Sequence, residues 1–302
     1  MKRRILILTM AAALLIAFYG CGQSKSTNAP GGGGSITVGS KNFTENIIIA
    51  HMMAELVEAN TDLQVIRKVN LGGSNVAWKA LESNDIQMYP DYTGTIVANY
   101  YQEETGTSQE TLEKAMQLTT QDKLKLLKPF GFNNTYTLAI TQETAQKYNL
   151  NSFSDLAEVS AGLLLGCEFE FKDRPDGYPG LQSAYSMDFK DVKGMDHGIM
   201  YRSLDGGEVD VVDAYATDGQ IKVYNLKILQ DDKEFFPPYD ALPVVRQDTL
   251  DKYPQIEDAL NKLAGTIDEK AMQELNARVD SDGMKEETVA HDFLAARGLV
   301  QK

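Results

Sequence analysis

Four tyrosines stand in turn-like surroundings rather than on apolar faces. They are Tyr92 in YPDYTGT, Tyr136 in GFNNTYTLAI, Tyr215 in DAYATDGQ and Tyr239 in FFPPYDALPVV. Pro237 and Pro238 stiffen the backbone ahead of the last of these. Tyr92 and Tyr215 each come directly after a strand-like run, and ligands of open α/β sheets gather outside the carboxyl ends of strands. Several phenol rings converging on one cleft suit a particular cation. A trimethylammonium group carries a full charge but no N–H, so it cannot donate a hydrogen bond to a carboxylate. The electron-rich faces of aromatic rings can surround it instead, each contributing roughly 0.5–2 kcal/mol once desolvated. The competing reading is that each tyrosine packs its ring at a surface and wets its hydroxyl. Residue type and context alone leave both open.

The other chemistry-bearing residues form no catalytic motif. The chain has no GxSxG elbow, no P-loop and no HExxH. His51, His197 and His291 lie far apart, and His51 falls within a helical stretch, where a polar-face or satisfied core role is expected. Carboxylate pairs such as Asp210 and Asp213 are common in so acidic a chain. Asp280-Ser281-Asp282-Gly283 starts like a calcium loop but lacks the further ligand positions, so it reads as a turn between helices. Trp78 reads as core. Cys167, in the apolar run LLLGCEFEF, is expected to be a buried small hydrophobe. A net charge of −14 repels phosphate backbones. No catalysis, metal, cofactor or nucleic-acid partner is therefore expected.

The elements that must position the tyrosines are those of an α/β protein. Residues 35–40 read as a strand. Thr44 can cap a helix over 45–60 with Ile48, Met52, Leu56 and Ala59 on one face. Residues 63–69 alternate as a strand, 74–83 read as a helix capped by Ser74 or Asn75, and 85–89 as a strand. This is a parallel α/β pattern. It recurs with strands over 136–141, 163–171 and 209–214 and helices over 154–160, 180–185 and 198–204. Helices follow over 255–264, 268–279 and 286–297. The pattern predicts two α/β lobes with the C-terminal helices returning to the first: residues 36–136 plus 241–302 in one, 137–240 in the other. No internal sequence repeat or heptad pattern is present.

The N-terminus reads as an export leader. Lys2, Arg3 and Arg4 precede an apolar stretch over residues 5–18, too short for the roughly 20 residues that span a bilayer core. Residues 1–20 are assigned to the leader. Gly20-Cys21 resembles a lipobox whose cysteine is acylated, although Phe18 and Tyr19 depart from the usual pattern. An ordinary signal peptide or an uncleaved anchor is the alternative. Residues 21–35 are rich in Gly and Ser and read as a flexible tether with a reach of roughly 20 Å. The glycine run could equally be an engineered scar.

Six ordered motifs then carry a resemblance: GSKNFTEN, YPDYTGT, GFNNTYTLAI, FEFKDRPDGYPGL, DAYATDGQI and DDKEFFPPYDALPVV. The body resembles the substrate-binding proteins of glycine betaine/carnitine/choline ABC transporters over nearly its whole length. The resemblance implies a type II periplasmic-binding-protein architecture, an extracytoplasmic and lipid-anchored monomer, a membrane permease as partner, and osmoprotectant uptake fuelled by a separate ATPase. It maps an aromatic cage onto Tyr92, Tyr136, Tyr215 and Tyr239. It maps the groups that grip a carboxylate onto Lys41 and Arg174, and a hydroxyl donor onto Thr95. The plain reading of Lys41 and Arg174 is surface solubility, or a local pair with Asp173 or Asp176. If the two cations need a ligand carboxylate as partner, betaines such as glycine betaine, carnitine and proline betaine rank ahead of choline. GSKNFTEN and FEFKDRPDGY also resemble a branch that binds ergothioneine. A receptor domain that senses a solute without transporting it is the reading from another class.

Overall fold

A computed structural model describes residues 33–301. The expected leader, Cys21 and nearly all of the tether lie outside the described residues. Ten strands follow in chain order: β1 (Ser35–Gly39), β2 (Gln64–Lys68), β3 (Met88–Tyr92), β4 (Leu124–Leu126), β5 (Tyr136–Ile140), β6 (Leu164–Glu168), β7 (Asp191–Met195), β8 (Val211–Tyr215), β9 (Lys227–Ile228) and β10 (Ala241–Arg246). They form two five-stranded sheets, β2-β1-β3-β10-β4 and β7-β6-β8-β5-β9. In each, three strands run parallel and a fourth, reached by a crossing segment, pairs antiparallel beside them. The two lobes thus repeat one topology without repeating a sequence.

The central strands β3, β5 and β8 are buried at every residue, as expected for strands covered on both faces. The edge strand β2 buries only Val65. Proline sits inside two of these paired strands. Pro90 stands opposite Pro243, and their carbonyls point away from each other, to the Asn46 side-chain amide and the Leu127 N–H respectively. The pair is a non-hydrogen-bonded one, so neither missing N–H leaves a gap between β3 and β10.

The Thr44–Asn60 helix departs from its expected form. It buries Ile48, Ile49, Met52, Met53, Leu56 and Val57, on more than one face, while Ala59 is exposed. The Gln255–Leu260, Glu269–Asp280 and Glu286–Ala296 helices pack on it from outside while β2 and β3 lie beneath, which is the setting of a helix apolar all round. Thr44 does not cap it. Phe43 holds the extended cap position, and the Thr44 hydroxyl donates to Asp280 at 2.6 Å. The Ser74–Glu82 helix likewise starts after Gly73 without a side-chain cap.

Element boundaries also shift. The third strand runs over Met88–Tyr92 rather than 85–89. The run 163–171 is not one strand: β6 ends at Glu168, opposite the last residue of β7, and the chain turns into the Phe169–Asp173 helix. The Ser108–Gln121 helix was not anticipated, although Thr107 and Glu110 form the capping box that opens it. Trp78 and Cys167 are both buried, as expected. Replacing Leu56, fully buried in the central helix, by alanine should cost about 2–5 kcal/mol in urea unfolding. Val76→Ala on the exposed face of the Ser74–Glu82 helix should stay within about 0.5 kcal/mol.

Candidate functional site

Strand ends and crossing segments of both lobes meet in one cleft. Tyr92 and Tyr215 are the last residues of β3 and β8, inside these strands rather than directly after them as expected. Tyr136 opens β5, and Tyr239 lies on the segment that returns to β10. Lys41 follows β1, Thr95 follows the YTG turn, and Arg174 follows the Phe169–Asp173 helix. All seven line the same cavity. The Tyr136 ring centroid lies 4.9 Å from that of Tyr215 and 5.4 Å from that of Tyr239. Phe43 joins Tyr92 to the group, 6.2 Å from it and 5.2 Å from Tyr215. Burial, first of all, holds all four phenols well above their usual pKa, so they are neutral rings at physiological pH.

The glycine of YPDYTGT has a steric role. A Cβ on Gly94 would lie 2.7 Å from the Pro238 carbonyl and 2.8 Å from the Tyr239 ring, closer than such contacts permit. Thr93 fastens the same two segments, since its N–H and hydroxyl donate to the Asp240 and Pro238 carbonyls, each at 3.1 Å.

Both cations are buried and already paired. Lys41 Nζ stands 2.7 Å from Asp91, which also accepts from the Tyr89 and Tyr100 hydroxyls. The Arg174 guanidinium, 3% exposed, donates through Nε and Nη2 to both oxygens of Asp176, and Tyr239 donates to the same carboxylate at 2.8 Å. Burial alone would raise the Asp176 carboxyl, but the Arg174 charge and these hydrogen bonds hold it below its ordinary pKa. The plain reading of Arg174 as a partner of Asp176 therefore describes part of its role, while surface solubility describes neither cation. The ranking of choline below betaines for want of a partner to Lys41 and Arg174 loses its premise, because Asp91 and Asp176 supply those partners.

The cations also touch the cage. Lys41 Nζ lies 4.9 Å from the Tyr92 ring centroid and Arg174 Cζ lies 5.4 Å from that of Tyr136. The lobes meet here. Arg174 donates at 3.3 Å to Ser74 and at 3.4 Å to Thr95, and Glu170 accepts from the Ser74 N–H and hydroxyl at 2.7 and 3.0 Å. The Ser74 hydroxyl is thus spent across the cleft rather than on a cap. The space left among the lining side chains is about 10 Å³ for the centre of a water-sized sphere, the room of one solvent molecule.

Sequence reading missed Phe43, Ser74, Asn134 and Glu170 in the lining. Asn134 opens the NTY step of a motif already singled out, and its buried Oδ1 accepts no hydrogen bond. A larger cavity of about 260 Å³ shares Glu170 with the cage and runs past Asn42, Phe169 and His197. Larger clefts lie elsewhere, one of about 620 Å³ along the Gly219–Val223 and Glu269–Asp280 helices, and no aromatic residue lines it. Chemistry rather than volume therefore selects the site. Among the described residues no group of three or more metal-ligating side chains occurs, and no helix is long and apolar enough to cross a membrane.

The profile described as the substrate binding domain of ABC-type glycine betaine transport system matches residues 34–296. The carnitine transport binding protein OpuCC of Listeria monocytogenes is 34% identical over 302 residues, covering 97% of each chain. The ergothioneine transport permease/ergothioneine binding protein EgtU of Helicobacter pylori is 36% identical over 267 residues, which is 87% of this chain and 48% of that longer protein. A solved structure described as a glycine betaine/carnitine/choline ABC transporter superposes with a TM-score of 0.70 at 33% identity, covering 87% of this chain and 99% of that one.

Breaking a buried ion pair costs about 3–5 kcal/mol, whereas replacing both members by apolar residues can be neutral. Asp176→Ala should therefore lower stability by that amount in chemical denaturation. The double change Arg174→Met with Asp176→Leu should recover most of it.

Proposed function

Because the chain belongs to the family of substrate-binding domains of ABC-type glycine betaine transport systems, we propose that it captures a zwitterionic quaternary-ammonium osmoprotectant such as carnitine, glycine betaine or proline betaine. It binds this solute outside the cytoplasm and hands it to a membrane permease. The observation that carries this reading is the meeting of Tyr92, Tyr136, Tyr215 and Tyr239, with Lys41 and Arg174, in one cavity between lobes. The rings take the methylated nitrogen through their faces. Lys41, Arg174 and Thr95 take the carboxylate, and the long Arg174 contacts to Ser74 and Thr95 are the ones a carboxylate replaces with shorter, charge-assisted bonds.

The ranking over choline rests on the carboxylate. Lys41, Arg174 and Thr95 can give the acid end of a zwitterion charge-assisted hydrogen bonds, and choline has no acid end to receive them. Because the cavity is nearly filled when the lobes are shut, ligand must bind an open form and stabilise the closed one through contacts from both sides. On this reading the lobes divide within the crossing segments near residues 136 and 240, and the protein binds its solute without transforming it. It acts as a monomer, with Cys21 as its lipid anchor after removal of residues 1–20.

One observation favours a second ligand class. Asn134 lines the same cavity and its buried Oδ1 has no partner, and glycine betaine has nothing to donate to it. The carnitine hydroxyl does, and so do the ring N–H groups of ergothioneine, the ligand named for the Helicobacter relative.

Calorimetry against glycine betaine, carnitine, choline and ergothioneine tests these readings. Alanine at Tyr92, Tyr136, Tyr215 or Tyr239 should each weaken binding by roughly 1–3 kcal/mol; two such changes without effect would remove the cage. Asn134→Ala should weaken carnitine or ergothioneine by about 1–3 kcal/mol and leave glycine betaine nearly unchanged. Binding of choline alone would exclude the carboxylate role of Lys41 and Arg174.

A further inference from the structure

Behind the cage lies a buried carboxyl that ligand capture does not use. Glu45 is 2% exposed, in the first turn of the Thr44–Asn60 helix. It accepts hydrogen bonds from four separate parts of the fold. The Tyr92 hydroxyl donates from the end of β3 at 2.7 Å, and the Asn134 amide from the crossing segment at 2.8 Å. The Thr217 hydroxyl donates from the turn after β8, and the Asn276 amide from the Glu269–Asp280 helix at 3.4 Å. Tyr92 and Glu45 belong to the first lobe and Thr217 to the second. Around this point the lobes are tied further. Asn276 and Gln273 donate to the Thr217 and Ala216 carbonyls at 2.9 Å each, and Gly219 abuts the Ala277 backbone so closely that a Cβ would lie 2.8 Å from its nitrogen.

We propose that closure of the lobes takes up a proton at Glu45, so that capture of the ligand is linked to pH. The proposal rests on the reading of the cleft as a ligand site that shuts. Closing seals the carboxyl from water and brings up Thr217, yet it brings no counter-charge: among the described residues no Lys, Arg or His forms an ion pair with Glu45. The charged groups near it do not compensate. Asp218, beside Thr217, adds repulsion. Asp280 on the Glu269–Asp280 helix is bound by Thr44. Lys41 is committed to Asp91, and His197 lies 3.2 Å from both Glu168 and Asp218. Burial, outweighing the four donors, pushes the Glu45 carboxyl up to about 7 in the closed form.

The sign follows from linkage. With the carboxyl near the ordinary glutamate value of 4.5 when solvated in the open form, closing binds a proton between that value and about 7. Closure is therefore favoured at low pH. The advantage falls as pH rises through this window, by up to about tenfold per pH unit, and is gone above it. The other buried ionisable groups keep their charged partners within one lobe. His197, Glu168 and Asp218 all belong to the second, as do Arg174 and Asp176, while Lys41 and Asp91 belong to the first. Glu170 also accepts across the cleft, but its side chain keeps 20% exposure and has Arg174 at 3.6 Å.

Calorimetry with carnitine and glycine betaine, from pH 5 to 8.5 in buffers of different ionisation enthalpy, counts the protons taken up per ligand. The wild type should take up most of one proton near pH 6 and none at 8.5, with affinity falling up to about tenfold per unit in between. Glu45→Gln should show neither uptake nor slope. Thr217→Val, which keeps the carboxyl and removes the second lobe's donor, should move the break in the profile to higher pH. A flat wild-type profile, or a slope that survives Glu45→Gln, overturns the proposal. Spin labels at Lys79→Cys and Lys190→Cys, exposed positions on the two lobes, report closure without ligand. If no ligand binds at any pH, the functional reading falls while the interlobe distance still decides the proton step. A closed fraction that grows on acidification only with Glu45 present supports it, and a distance distribution indifferent to pH refutes it.

Discussion

Two cations are buried beside four phenol rings in a cleft that shuts out water, and the surrounding architecture answers to that fact. An ammonium or guanidinium leaves water only if something of opposite sign meets it. Asp91 meets Lys41 and is itself held by two tyrosine hydroxyls; Asp176 meets Arg174 through two parallel bonds and is held by Tyr239. Each carboxylate that neutralises a cation is thus fastened by phenols, one of them a ring of the cage. The charged floor and the aromatic walls are one construction, in which a ring's hydroxyl serves the ion pair while the ring itself lines the cavity.

The repeated topology explains how such a floor is assembled from distant residues. In each sheet a strand from the far side of the crossing inserts antiparallel among parallel neighbours, so that strand ends from both lobes point into one gap. Tyr92 and Tyr215 close β3 and β8, Tyr136 opens β5, and the two crossing segments carry Asn134 and Tyr239 between them. The pairing of Tyr136 with Tyr215 across β5 and β8 sets the separation of two cage rings by backbone register alone. Side chains from the two sheets meet across this gap, where Arg174 reaches Ser74 and Thr95.

Much of this was legible in the residues. Turn contexts singled out the four tyrosines, apolar periodicity gave the alternation of strand and helix, and the ordered motifs tied both to a known family. The errors have physical causes. A lone pattern of apolar positions could not reveal that the Thr44–Asn60 helix is covered from outside by the C-terminal helices, because that covering comes from more than two hundred residues away. Residues 163–171 looked like one strand because β-sheet character does not show where a neighbouring strand stops. Thr44 and Ser74 had the chemistry of helix caps, but tertiary partners, Asp280 and Glu170, took their hydroxyls.

Residue types alone determined that this chain folds as α/β lobes and that phenols and two cations are its chemical assets, since these follow from local spacing and composition. Only tertiary structure decided which acid neutralises which cation, that Phe43 and Asn134 line one cavity with the tyrosines, and that Glu45 accepts from four parts of the fold with no ion-pair partner among the described residues. Ion pairing and desolvation act through space within a few ångströms, and distance along the chain carries no record of them.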